Sequence, residues 1–397
     1  MKRQGNTRRN TGRSFSLAAS AATPISASSP TAPSSHPKML GALYAPLICA
    51  TARTHIPVYG KLSGAGTTNN LKEEPSMKDN VSNRIYGTMF GVAIGDALGA
   101  PLEFMSAEGI RLRHGTVREM LGGGWLNVKP GEVTDDTQMT LAVAHGICDA
   151  PTDPVPAIGS NFIRWYRSGP KDVGATCSTA IRNAFSAARK KEKPTNADWK
   201  RASLATHNAL GGRSAGNGTL MRTAYVGLYY ENEKDIIQNA RAISQMTHYD
   251  EETAVDCAVY SMAIRRMVDT SSQSIRLETL IHYTSTYCKG RYNYEQLSSE
   301  SFNPNPSGYV VDSFAAALHC IFTTSSFEDA LVKAINLGGD ADTIGAITGG
   351  LAGALYGYDA IPERWRKQLD PRTRLDIEAL CAIAASGKSS CILDNNK

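Results

Sequence analysis

From residue 82 onward, apolar and small residues recur at three- and four-residue spacing and alternation with period two is rare, which predicts helices rather than strands. Ile158, Phe162 and Trp165 fall on one helical face, as do Ile236, Ala240 and Ile243, and Ala254, Ala258, Met262 and Met267 mark another. Glu251 and Glu252 fall in the first turn of that last helix, where the dipole favours acids. The stretches 309–323 and 327–337 read as two more helices split by Thr and Ser. Pro362 is placed to open a late helix and Gly387 to end the last one. No strand–helix–strand rhythm occurs, so the predicted fold class is all-α.

Two helices carry an unusual stripe. Glycines fall at 87, 91, 95 and 99, and again at 345, 349, 353 and 357. Four-residue spacing puts each set on one face. A glycine inside a helix costs about 1 kcal/mol relative to alanine, so each stripe needs compensation, and close approach of two helices would supply it. A membrane-embedded small-residue face is the rival reading. Asp96 within the first stripe, and Asp340 and Asp342 just ahead of the second, argue against it. No uninterrupted apolar run reaches the roughly 18 residues that span a bilayer, and the best candidate, 41–52, is too short.

Composition changes the picture mainly at the N-terminus. Residues 1–80 are rich in Ser, Thr, Ala and Pro without periodicity, and burial there cannot offset chain entropy, so a disordered extension is expected. Lys2, Arg3, Arg8, Arg9, Arg13, Lys38, Arg53, Lys61 and Lys72 all precede the first acid, Glu73. With these set aside from the 42 basic residues, the rest of the chain holds more acids than bases, although the whole is formally +5. The basic character thus belongs to the extension, and a nucleic-acid-binding body is not indicated. An acid-free, Arg- and Ser-rich start also fits a mitochondrial or plastid transit peptide. A plain linker leaves a cytoplasmic protein as the alternative, with no membrane partner and monomer as the default. The eight cysteines lack a C-x-x-C pair and read as reduced thiols.

The chemistry concentrates in two acidic motifs. Thr134-Asp135-Asp136-Thr137 and Asp340-Ala341-Asp342-Thr343 each stand where a loop enters a helix. N-capping would explain one Asp or Thr at such a place, but not two carboxylates and a threonine at both. Converging carboxylates repel, and one must take up a proton unless a cation intervenes. Hard oxygen donors suit Mg²⁺ or Mn²⁺, and four carboxylates with two hydroxyls are enough for two ions about 3.5–4 Å apart. Calcium stays open, without an EF-hand spacing. A second signal is the loop 211–218, GGRSAGNG. Its glycines allow an anion nest, helped by a following helix N-terminus. An ordinary flexible turn is the alternative.

Six blocks then occur in one order: GTMFGVAIGDALGAPLEF (87–104), GEVTDDTQM (131–139), YRSGPKDVGATC (166–177), SAGNGTLMR (214–222), SGYVVDSFAAALHCI (307–321) and LGGDADTIGAITGGLAGALYG (337–357). In this they resemble the ADP-ribosylglycohydrolases, most of all the bacterial branch that acts on dinitrogenase reductase. The resemblance covers about 82–385 and implies a compact, single-domain orthogonal helical bundle over 81–390. It implies hydrolysis of the bond between ADP-ribose and a protein side chain, arginine first, with serine linkage or ADP-ribosyl small molecules as alternatives. It further implies two divalent ions, Mg²⁺ or Mn²⁺, held by Thr134, Asp135, Asp136, Asp340, Asp342 and Thr343. Glu103 and Asp172 match acids near the scissile ribose. Gly216, Asn217 and Gly218 match a loop that contacts the ADP-ribose, while His248 and Tyr309 are further substrate-binding candidates. Asp96 is placed to hold the ligand carboxylates from behind. A non-catalytic relative on the same fold and a two-metal nucleotide phosphohydrolase are the competing readings.

Overall fold

Two antiparallel glycine-striped helices form the centre of the molecule. A computed structural model describes residues 77–188 and 193–386, all within one compact unit, Leu71–Lys397. The expected disordered extension therefore lies outside the described residues, except that the helix begins at Met77, ahead of the boundary expected at 81. Gly387 also lies outside them.

The chain opens with α1 (Met77–Gly99), α2 (Ala107–His114) and α3 (Asp135–Asp149), followed by α4 (Val155–Arg167), α5 (Ala175–Ala187) and α6 (Asn196–Ala209). The middle contributes α7 (Ala224–Tyr229), α8 (Glu233–Ser244), α9 (Glu251–Asp269), α10 (Gln273–Tyr287) and α11 (Tyr294–Leu297). The end contributes α12 (Val310–Phe322), α13 (Phe327–Ile335), α14 (Ala341–Tyr356), α15 (Glu363–Gln368) and α16 (Pro371–Ala385). The described residues contain no β-strand, only isolated bridges, so the all-α expectation holds. The apolar faces read from spacing are core faces: Ile158, Phe162, Ile236, Ala240, Ile243, Ala254 and Met267 are all fully buried. Pro362 is the N-cap of α15, and Asp250 caps α9 ahead of Glu251 and Glu252.

The stripes meet each other. A methyl group on Gly91 would lie 2.0 Å from the carbonyl oxygen of Gly349, one on Gly95 2.0 Å from that of Gly345, and one on Gly87 2.6 Å from that of Gly353. The helices are thus in backbone contact along their length, and the glycines' intrinsic cost is offset by packing that no side chain would permit. One described segment, Val81–Leu102, is long and apolar enough by average hydropathy to cross a membrane, which corrects the expectation that none is. Its window is 94% buried within the fold, so its apolarity is spent on the protein core.

At the periphery, His145 on α3 pairs with Asp376 on α16 at 2.8 Å. The Asp376 hydrogen bond raises the imidazole above its ordinary value, against partial burial. The stability this adds is fully present below pH about 6.5 and is lost as pH rises through the raised folded value. Because both partners are half-exposed, the pair is screened and worth less than about 1 kcal/mol. His145→Ala is expected to lower the thermal midpoint slightly at pH 6 and to leave it unchanged at pH 9. An equal loss at both values would mean that the contact is packing rather than charge.

Candidate functional site

The antiparallel pairing brings Asp96 of α1 and the first turn of α14 to the start of α3. Asp96 is completely buried. It accepts the backbone N–H groups of Thr134 at 3.0 Å and Thr137 at 3.1 Å, and the hydroxyls of both threonines. A carboxylate from another helix therefore caps α3. Neither Thr134, the N-cap of α3, nor Asp340, the N-cap of α14, makes a side-chain capping bond. Capping thus does not account for the acids at 135, 136 and 340. Burial pushes the Asp96 carboxyl up to about 6, against the pull of its threonine partners.

The acids converge. Ligand oxygens of Glu103, Asp340 and Asp342 all lie within 4.8 Å of one another. Asp136 Oδ2 lies 3.2 Å from the Thr134 hydroxyl and 3.4 Å from that of Thr343. The Thr134 hydroxyl has one proton and a nearer acceptor, Asp96 Oδ1 at 2.9 Å. Asp136 Oδ1 is buried without any hydrogen-bond partner, a costly state for a carboxylate oxygen. Burial raises Asp135, Asp136 and Asp342 well above the ordinary carboxylate range. The neighbouring charges add to it: Asp172 acts on Asp135, Asp96 on Asp136, and Asp136 on Asp342. Burial also raises Asp172, which shares a hydrogen bond with Asp135. Such a set is under-supplied with protons and positive charge. All-oxygen donors, an orphaned buried carboxylate oxygen and mutual repulsion fit hard divalent cations.

Glu103 follows a 3-10 turn at Ala100–Leu102 that continues α1. Its neighbour Phe104 donates its N–H to the Gly339 carbonyl, and Gly339 returns a bond to Met105 O, both at 2.7 Å. Gly338 and Gly339 have φ of +72° and +63° and press against the backbones of Met105 and Pro306, which only glycine allows at that distance. This double link carries Glu103 to Asp340 and Asp342. Burial raises Glu103 to about 7, helped by the charges of Asp172 and Asp340 and opposed by the Trp125 indole N–H.

These residues line a cavity of about 370 Å³. Glu103, Asp135, Asp172, Asp340, Asp342 and Thr343 form one side, and Gly216, Asn217, Gly218 and His248 another. Thr134, Asp136, Asp96 and Tyr309 are not at its surface; the first three stand behind it. Tyr309 instead turns toward α9, where its hydroxyl donates to Glu252 Oε2 at 2.5 Å, and it is 40% exposed. The glycine loop differs from the expected nest. Its continuation is a six-residue 3-10 helix, Asn217–Arg222, and the Asn217 N–H is taken by Gly308 O at 3.0 Å. The Asn217 amide donates to Asp340 Oδ2 at 2.8 Å and to Ser313 Oγ at 2.9 Å, so it orients a carboxylate of the acidic cluster.

Burial and the nearby Arg222 guanidinium push His248 down to about 3, so the ring is neutral. Arg222 donates to Thr247 Oγ1 at 2.8 Å, and that hydroxyl lies 2.8 Å from His248 Nδ1. His248 Nε2, the other ring nitrogen, is the atom nearest Gly216. Sequence reasoning missed Phe104 and Trp125, which also line the cavity. The signal was present in the run Gly122-Gly123-Gly124-Trp125, since three glycines before an aromatic mark a tight turn that displays it.

A model of the ADP-ribosylglycohydrolase family matches residues 77–391. The ADP-ribosyl-[dinitrogen reductase] glycohydrolase of Rhodospirillum rubrum is 33% identical over 313 residues, covering 77% of this chain and 98% of that protein. The ADP-ribosylarginine hydrolase Tri1 of Serratia proteamaculans is 30% identical, covering 74% of this chain and 77% of its own. A solved structure described as an ADP-ribosylglycohydrolase-related protein complex superposes with a TM-score of 0.63 at 30% identity, covering 78% of this chain and 99% of that one.

Proposed function

The chain belongs to the ADP-ribosylglycohydrolase family, and from that premise we propose that its acidic cavity removes ADP-ribose from arginine side chains of modified proteins with two divalent ions, Mg²⁺ or Mn²⁺, in place. The observation that carries this reading is the convergence of Asp135, Asp340 and Asp342 at the wall of a cavity, with Asp136 and its orphaned carboxylate oxygen buried behind them. The relatives named for ADP-ribosylarginine favour arginine as the acceptor.

In this reading Thr134, Asp135, Asp136, Asp340, Asp342 and Thr343 would hold the ions, which would supply positive charge to orient ribose hydroxyls and to make a water easier to deprotonate. Asp96 fixes α3 by binding the backbone of Thr134 and Thr137, and Asn217 fixes Asp340. Departure of the ribose builds oxocarbenium character at its anomeric carbon. Water adds to that carbon, the C–N bond breaks, and the guanidine leaves with a proton. A guanidine is too basic to leave well unprotonated. Glu103 and Asp172 are the proton-holding pair, since both sit at the cavity with carboxyls raised by burial. His248 and the Gly216–Gly218 segment line the remaining wall and bind the ADP-ribose body, which fixes the reacting bond from a distance.

The test is product analysis on ADP-ribosyl-arginine with Mg²⁺, Mn²⁺ or EDTA. Free ADP-ribose is expected, with activity lost on chelation and restored by either ion. AMP as the product would replace this reading with pyrophosphate cleavage, and undiminished turnover in EDTA would remove the ions from it.

A further inference from the structure

Two large aromatic side chains stand exposed at the lip of the acidic cavity. Phe104 is 70% exposed and Trp125 55%, with ring centroids 5.4 Å apart at 40°. Exposed aromatics of this size, side by side, are uncommon without a purpose. Both are held there by construction. Phe104 has φ of +63°, a strained conformation for a side chain of its size, and its N–H is pinned to Gly339. Trp125 is displayed by a tight turn closed by paired bonds between Gly123 and Val128 at 2.6 and 2.9 Å. Gly124 in that turn, at φ of +68°, packs on the Pro101 backbone, two residues before Glu103. The indole N–H donates to Glu103 Oε2 at 2.6 Å, which ties the ring's edge to the cavity's acid.

The geometry points to Phe104 and Trp125 as the acceptor subsite, a tilted pair in mutual contact whose exposed faces hold the planar guanidinium of the modified arginine beside Glu103 and Asp172. This deepens the function proposed above and rests on it. A guanidinium is planar, permanently charged and weakly hydrated, and it stacks on aromatic faces. The acids at the same wall complement its charge. A serine oxygen offers neither a cation nor a plane, so the pair discriminates between acceptors while leaving the ADP-ribose body untouched.

The test compares the wild-type chain with Phe104→Ala, Phe104→Tyr and Trp125→Leu. KM and kcat are measured on ADP-ribosyl-arginine, and the Kd of free ADP-ribose is measured by calorimetry. Phe104→Ala is expected to raise KM about fivefold with kcat little changed, a typical worth for one cation–π face. Phe104→Tyr should restore it, and no Phe104 variant should change ADP-ribose affinity. Trp125→Leu should raise KM in the same direction, and an unchanged KM would remove the indole from the subsite. An unchanged KM in Phe104→Ala would overturn the subsite while the arginine reading stands. An equal loss of ADP-ribose affinity would also overturn it, placing the ring on the nucleotide side. A wild-type chain that releases ADP-ribose from serine conjugates but not from ADP-ribosyl-arginine would remove the arginine reading itself, and this subsite with it.

Discussion

Asp342→Asn should lower turnover by at least about 10²-fold, more than loss of a group that merely supports a metal ligand, and should make the metal-free protein more stable. The two effects share one cause. Asp342 is buried beside Asp136, Asp340 and Glu103, and burial first, then these charges, holds its carboxyl well above the ordinary range. A carboxyl whose folded value is raised binds more protons in the native state than in the unfolded one. Its contribution to stability therefore falls as pH rises above the unfolded value of about 4. In EDTA at pH 8 the amide variant should melt at a higher temperature than the wild type, and the difference should vanish near pH 4. Saturating Mn²⁺ should reverse the order, because only the wild type gains the full binding energy of the ions. Thermal unfolding at the two pH values, with and without Mn²⁺, checks this. A variant that is less stable in EDTA at pH 8 would show that the carboxylate earns its place through structure and not through a cation.

Gly349→Ala is expected to cost more than about 3 kcal/mol or to prevent folding. Helix propensity alone predicts the opposite sign, a gain of about 1 kcal/mol, so the direction is diagnostic. The new methyl group would lie 2.0 Å from the Gly91 carbonyl oxygen and 2.5 Å from its carbon. Both are backbone atoms of a buried helix, and no side chain can swing away to make room. Overpacking against side chains costs about 1–3 kcal/mol, and backbone against backbone exceeds it. Separating α1 from α14 would also draw Asp96 and Glu103 away from Asp340 and Asp342, so any folded fraction should bind Mn²⁺ weakly. Denaturant unfolding and metal titration report the two consequences separately. A midpoint at or above that of the wild type would mean that the stripes do not set the helix separation.

Much of this was legible along the chain. Period and composition determined the all-α class, because 3.6-residue spacing of apolar positions leaves no room for strands. The glycine stripes announced a close helix pair, because four glycines on one face of a helix are otherwise a standing cost. The acidic motifs announced their chemistry, because two carboxylates and a threonine at each of two helix entrances exceed what capping needs. The sequence could not say that Asp96, distant along the chain, does the capping of α3 and so leaves Asp135 to face the cavity and Asp136 to stand behind it. Nor could it say that the Asn217 amide points at Asp340, that Tyr309 turns outward to Glu252, or that Trp125 reaches back to Glu103. A periodic pattern identifies which face of an element is buried, and a local motif identifies which groups it carries. The partner each group meets is set by how separate elements pack, and here that was decided by the backbone contact of α1 with α14 and the glycine link from Met105 to Gly339.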